Sequence, residues 1–185
     1  MRDLWLVRHG TTEWSLSGRH TGTTDLPLLP EGEETARALA PRLAGTDFGL
    51  VLTSPRQRAR RTAELAGFPD AVVDDDLGEW NYGDYEGVTT DTIREKDPDW
   101  TIWSGVTPGG ETCEQVGTRL DRVIARARAQ DGHVLVFGHG HALRALAARW
   151  LGLPAADGRM LRLDTATLSV LGFEREQPVV LHWNS

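Results

Sequence analysis

Two unbroken apolar runs, Leu4-Trp5-Leu6-Val7 and Val134-Leu135-Val136-Phe137, constrain this chain more than any other feature. A strand that is apolar on both faces needs both faces covered, as happens inside a parallel sheet flanked by helices. Each run leads into the same pair, His9-Gly10 after the first and His139-Gly140 after the second. In open α/β sheets, ligands bind outside the C-terminal ends of the strands, so both imidazoles are expected at one ligand-binding edge. A neutral imidazole can attack phosphorus, and a protonated one can stabilise a phosphoryl oxyanion. The pairing therefore points to phosphoryl transfer through a histidine.

The rest of the chain alternates strand and helix patterns, which favours the α/β class. Strands are predicted near residues 3–8, 49–53, 71–74, 133–138, 167–173 and 178–183. Helices are predicted near 31–44, 56–66, 89–96, 113–130 and 141–151. In the fourth helix Val116, Leu120, Val123, Ile124 and Ala127 recur at helical spacing, and Thr112 with Gln115 makes a capping-box pattern at its start. In the last helix Leu143, Leu146, Ala147, Trp150 and Leu151 form one stripe, which Gly152 and Pro154 end. Pro41 lies inside the first helix. An interior proline costs about 3 kcal/mol, so that helix is expected to kink or divide. Residues 75–112, rich in Gly, Asp and Trp, read as a long active-site excursion with a short helix inside. No repeat or low-complexity segment interrupts the pattern, and 185 residues predict one domain spanning 1–185.

Charge narrows the partners. A net charge of −7, from 20 Lys+Arg against 27 Asp+Glu, opposes a general nucleic-acid binder. It does not oppose an anionic substrate, because a local arginine cluster can focus positive potential. Cys113 is the one cysteine, so there is no internal disulfide framework. Its acidic neighbours Glu111 and Glu114 should raise the thiol pKa and make it unreactive. No stretch approaches a membrane span, and the apolar stretch after Arg2 and Asp3 is too short for a signal peptide. A cytoplasmic protein without membrane or nucleic-acid partners is expected. The scattered tryptophans hint at a homodimer interface without locating it.

Four segments, each just past a predicted strand, suit one site. They are Arg8-His9-Gly10, Ser54-Pro55-Arg56-Gln57-Arg58-Ala59, the stretch from Leu77 to Gly87, and Gly138-His139-Gly140-His141. Here the chain resembles the histidine phosphatase superfamily, also called phosphoglycerate-mutase-like. Arg8-His9-Gly10-Thr11-Thr12 is similar to its nucleophile motif, and Thr21-Gly22-Thr23-Thr24-Asp25-Leu26-Pro27-Leu28 with Gly32 to its next block. Ser54-Pro55 with Arg58-Ala59 and Thr62-Ala63 resembles its second-arginine motif. Glu79 with Gly83, Glu86 and Gly87 resembles its acid loop, and Pro108-Gly109-Gly110-Glu111-Thr112 and His139-Gly140 complete the order. A lone Arg-His-Gly is weak evidence, whereas six blocks in sequence are strong. Thr12-Glu13-Trp14-Ser15 with Ser17-Gly18, and Gly138-His139-Gly140-His141-Ala142-Leu143-Arg144, resemble a branch of small-substrate phosphatases that includes the acid and sedoheptulose bisphosphatase types.

The resemblance implies a three-layer α/β/α sandwich with a mostly parallel sheet. It also implies metal-free, cofactor-free transfer from a small phosphorylated metabolite through a phosphohistidine on His9. Physical logic supports the roles. His9 must be neutral, its tautomer fixed by a ring N–H bonded to a backbone carbonyl. Arg8, Arg58 and His139 supply positive charge and donors to the phosphoryl oxygens, with His139 cationic beside a phosphate dianion. Glu79 is the acid for the leaving oxygen and then the base for water. The helix beginning near Gly140 should add N–H groups for the anion. Ser15, Thr21, Gly22 and Thr23 fall at phosphate-binding positions. Ser15 replaces the family's common Asn with a shorter donor, and Gly78 stands where Arg or Asn often precedes the acid.

Other fates compete. Arg60 and Arg61 read as a solvated helix face, and Arg56 is weaker than Arg58 as a ligand. Glu86 is expected to brace its loop. His20, His133 and His182 are expected to be structural, with His20 the one that could flank the pocket. One of Trp80, Trp100 and Trp103 is expected to line the pocket mouth. His139 and His141 form a His-x-His pair suited to zinc, but the arginines beside His9 would repel a cation, so no metal is expected. A cofactor-dependent mutase is the first alternative. It is disfavoured because Val88 to Gly110 offers only Arg94 and Lys96 and no Pro-Pro run. A non-catalytic phospho-ligand binder is the second, and the presence of both His9 and Glu79 argues against it.

Overall fold

The computed structural model describes residues 3–185; Met1 and Arg2, at the head of the N-terminal stretch considered above, lie outside the described residues. The strands are β1 (Leu4–Arg8), β2 (Phe48–Thr53), β3 (Val72–Val73), β4 (His133–Gly138), β5 (Leu168–Glu174) and β6 (Gln177–His182). The helices are α1 (Glu13–Ser17), α2 (Pro30–Arg37), α3 (Ala40–Leu43), α4 (Gln57–Leu65), α5 (Thr90–Arg94), α6 (Cys113–Arg128) and α7 (Gly140–Trp150). The sheet order is β3-β2-β4-β1-β5-β6. β1 to β4 run parallel, β5 pairs antiparallel with β1, and β6 turns back antiparallel to β5.

The apolar runs take the central places because they alone can be covered on both faces. Along β1, Leu4 and Leu6 pack on one side and Trp5 and Val7 on the other; along β4, Val134 and Val136 oppose Leu135 and Phe137 in the same way. The first face is covered by α6 and α7, the second by α3 and α4. This is the three-layer sandwich. The predicted capping box of α6 is present, with Thr112 and Gln115 bonded reciprocally. The helix expected over 31–44 is two pieces, α2 and α3. Pro41 sits in the first turn of the second piece, where its missing N–H costs nothing. β3 keeps only two exposed residues of the strand expected over 71–74.

Backbone contact positions the nucleophile segment. A Cβ on Gly10 would lie 2.3 Å from the Gly32 carbonyl oxygen, and one on Gly32 would lie 2.2 Å from that of Thr11. The start of α2 therefore rests directly on the chain that leaves β1. Gly32→Ala is expected to destabilise the fold by about 1–3 kcal/mol, as overpacking does. The measurement is urea unfolding, with a lowered midpoint at unchanged slope. A midpoint equal to the parent's would show that the two segments do not need this contact.

Candidate active site

Strand register builds the centre of the site. Arg8 lies opposite Gly138 in the β1–β4 pair, and the His9 N–H donates to the Gly138 carbonyl at 3.0 Å. The next residue on each strand is a histidine, so the rings meet with centroids 5.1 Å apart. His9 Nδ1 lies 2.7 Å from the Gly10 carbonyl oxygen. A carbonyl only accepts, so Nδ1 carries the proton and Nε2 keeps a lone pair, as expected. Burial, then the charges of Arg58 and Arg8, hold this imidazole well below its usual pKa, and His9 is neutral.

His139 lies between Arg58 and Ser54. Arg58 Nε donates to its Nδ1 at 3.2 Å, so its proton is on Nε2, which donates to Ser54 Oγ at 2.7 Å. Burial, then Arg58, His9 and Arg8, push its pKa well below the usual range. The cation expected from the sequence belongs to the site with a phosphate dianion bound; among the protein's own groups, burial and two guanidinium groups disfavour a third positive charge, and the imidazole is neutral.

Arg58 is fully buried and acts as a strut. Its Nη1 donates to the Thr24 carbonyl at 2.9 Å, and its Nη2 to those of Thr21 and Gly22 at 2.9 and 3.2 Å. Glu86 holds the same segment by accepting from the Gly22 and Thr24 N–H groups, each at 2.9 Å. This is the bracing role expected of it. Arg8 Nη1 donates to the Leu163 carbonyl at 2.5 Å, while its Nε is buried without a partner among the described residues. Gly140 allows that placement, since a Cβ there would lie 3.3 Å from Arg8 Cζ. A buried, unpaired guanidinium N–H is costly, and an anion's oxygen would satisfy it.

Glu79 reaches the edge from the long excursion. Its carboxylate accepts from the N–H groups of Trp80 and Ala142, both at 2.8 Å, and of His141 at 3.0 Å. The latter two open α7, where helix N–H groups lack internal partners. Those donors were expected to serve the substrate; a carboxylate built into the fold occupies them instead. Arg119 pins the excursion, donating to the Asp76 and Gly78 carbonyls at 2.6 and 2.7 Å and pairing with Glu111. Arg119 was missed because on α6 it looks like any solvated charge.

Arg8, His9 and Glu79 border a cavity of about 230 Å³ that Ser15, Thr21 and Gly140 among others also line; Arg58 and His139 do not line it. Gly22 and Thr23 do not line it; the Gly22 N–H is bonded to Glu86 and Thr23 is exposed. Ser15 Oγ closes the capping box of α1, accepting from the Thr12 N–H at 2.8 Å. Trp80, Trp100 and Trp103 are all buried in the core, and Trp14 lines the cavity in their place. Trp150 is also interior, while Trp5, Trp14 and Trp183 are partly exposed. The excursion had more to bury than its polar composition suggested. His20 flanks the cavity, its pKa lowered to about 4 by burial. Burial, then Glu114, raises the Cys113 thiol to about 11, and Arg61 pairs with Glu33 and Glu64 on an outer face. Among the described residues no group of three His, Cys, Asp or Glu side chains gathers as a metal site.

The family model of the histidine phosphatase superfamily (branch 1) matches residues 4–185. The chain is similar to an acid phosphatase of Mycobacterium tuberculosis, 44% identical over 176 residues that cover 92% of this chain and 86% of that one. It is equally similar to sedoheptulose 1,7-bisphosphatase of Saccharomyces cerevisiae, 44% identical over 183 residues, with 80% and 67% covered. The solved structure of the open reading frame Rv3214 from Mycobacterium tuberculosis superposes with a TM-score of 0.92 at 40% identity, covering 99% of this chain and 97% of that one. Because the family match takes in every strand and helix that frames the paired histidines, the chain belongs to the histidine phosphatase superfamily, branch 1.

Proposed function

We propose that this protein is a metal-independent phosphomonoesterase that moves the phosphoryl group of a small phosphorylated metabolite, a sugar phosphate or similar, to His9 and then to water. The observation that carries this reading is the His9 imidazole, neutral and with Nε2 unencumbered, beside an Arg8 N–H that lacks a partner. Nε2 attacks phosphorus as the ester P–O bond breaks, and Glu79 protonates the leaving oxygen. Glu79 then takes a proton from water, the resulting hydroxide attacks phosphorus, and the P–N bond breaks to restore His9. Arg8 offers the phosphoryl oxygens its unpartnered N–H, and losing such a donor typically costs about 2.7–4 kcal/mol of barrier; Arg58 adds its charge from behind and, with His139, holds the site in shape. Ser15, Thr21 and Gly140 border the phosphate, while Gly22 and Thr23 act through the loop that Arg58 and Glu86 hold.

The relatives' names support phosphatase chemistry, and the size of the cavity supports a small substrate. The net charge of −7 supports a metabolite in preference to nucleic acid, and one cysteine is compatible with the cytoplasm, where we expect the protein to act. A mutase reading draws no support from the excursion, where Arg94 is turned to the Trp100 carbonyl at 2.8 Å and neither it nor Lys96 lines the cavity.

Brief mixing with labelled substrate should leave acid-labile, base-stable phosphate on a peptide containing His9. Because the His9 pKa lies well below 6.5, the label should form in mildly acidic as well as neutral solution. Normal turnover by His9→Ala would refute the phosphohistidine. Glu79→Gln should slow alkyl phosphates by about 10²–10⁴-fold, the usual worth of a positioned acid, and aryl phosphates far less, since their leaving groups need little protonation. Equal losses for both would remove Glu79 from that role. Activity should persist in excess EDTA; full loss that one divalent ion reverses would show that a metal does the work assigned to the arginines.

A further inference from the structure

The second histidine of His139-x-His141 has no part in the phosphoryl chemistry above, yet it lines the same cavity. Its Nδ1 lies 2.6 Å from Tyr82 Oη. Tyr82 is buried, and among the described residues its hydroxyl has no other hydrogen-bond partner. Burial, then the charge of Glu79, pushes its ionisation well above the usual phenol range, so the phenol keeps its proton and has one place to donate it. Nδ1 of His141 is therefore the acceptor. His141 is itself held neutral by burial first and then Arg144, and its proton is on Nε2. Among the described residues no side chain or carbonyl is hydrogen-bonded to that nitrogen, and it is not among the buried unpaired atoms. An N–H donor thus faces the cavity.

The ring cannot easily turn away. Trp103 and Trp80 meet it edge-on at 5.4 and 6.5 Å between centroids, and His20 stacks on Tyr82 at 4.6 Å. The His141 backbone N–H also holds Glu79. One residue therefore carries both an anchor of the proposed acid and a side chain that lines the same cavity. We infer that Tyr82 and His141 are a positioning pair, in which Tyr82 fixes the tautomer and His141 Nε2–H bonds an oxygen of the departing alcohol. A neutral donor suits a hydroxyl or ring oxygen, so the substrate class is the phosphate ester of a sugar or other polyhydroxy alcohol, in preference to simple alkyl or aryl esters. The inference rests on the phosphatase reading and narrows it.

Two measurements test it. Long-range proton–nitrogen correlation spectra should show His141 protonated at Nε2 in the parent protein, with that preference weakened in Tyr82→Phe. Protonation at Nδ1 in the parent would overturn the pair whether or not the protein turns over. The second is kcat/KM for ribose 5-phosphate, fructose 6-phosphate and glycerol 3-phosphate relative to phenyl phosphate. His141→Leu should lower the best of these ratios about tenfold, the worth of one hydrogen bond, chiefly through KM. His141→Gln, whose amide N–H reaches the same place, should restore most of it. An unchanged ratio, or equal losses for both ester types, would overturn the proposal. A parent protein that releases phosphate from no ester would refute the phosphatase reading itself, and the tautomer would then decide the pair alone.

Discussion

Everything at this site depends on the parallel pairing of β1 with β4 in the register that sets Arg8 against Gly138. A slip of one residue would turn every side chain on a strand to the opposite face. Here such a slip would carry Trp5 and Val7 to the α6–α7 side and separate the two imidazoles. The register is strongly specified because both faces of both strands are packed. β2 extends the same alignment, with Thr53 opposite Phe137, so Ser54 arrives within reach of His139. Three strand ends thus deliver the two imidazoles and the hydroxyl bonded to one of them without a loop having to find them.

That alignment concentrates positive charge where water is scarce. Burial lowers the pKa of Arg8 and of Arg58, and for both guanidinium groups the charge that most opposes the shift is Glu79. Burial first, and then the same guanidinium groups, hold the pKa values of His9 and His139 well below the usual range. The proposed acid and the proposed nucleophile are therefore electrostatically linked. Glu79 offsets the cost of the arginines, and the arginines protect the lone pair on His9. Among the described residues the carboxylate is fixed by three backbone N–H groups and not by an ion pair, which leaves the unpartnered Arg8 N–H available to another anion.

What was legible in the sequence was local. The apolar runs, the His-Gly pairs and the Thr112–Gln115 cap are each written within a few consecutive residues, and each is found where expected. What escaped depends on contacts between residues far apart in the chain. Tyr82 and His141 are 59 positions apart, and the Arg119 contact with the Gly78 carbonyl spans 41. No periodicity records such pairs. The excursion misled for a second reason. Its glycines and aspartates read as a solvated loop, but its tryptophans fill the core beneath it, with Trp80 Nε1 bonded to the Glu111 carbonyl at 2.9 Å. A loop that looks polar by composition can still be anchored by a few large side chains with one polar atom each.

The protein as a whole repels anions while its cavity attracts them. With a net charge of −7 and a screening length of about 8 Å at physiological salt, long-range steering of a phosphorylated metabolite is weak or adverse. Capture must come from short-range groups: Arg8 with its unpaired N–H, and Arg144, which stacks on Trp103 at 4.7 Å and lines the same cavity. Such an arrangement favours ligands small enough to bring their charge within a few ångströms of those groups, and it penalises polyanions whose remaining charge would lie against the acidic exterior. Selection for a small phosphate ester thus follows from where the charges sit, before any contact with the alcohol is considered.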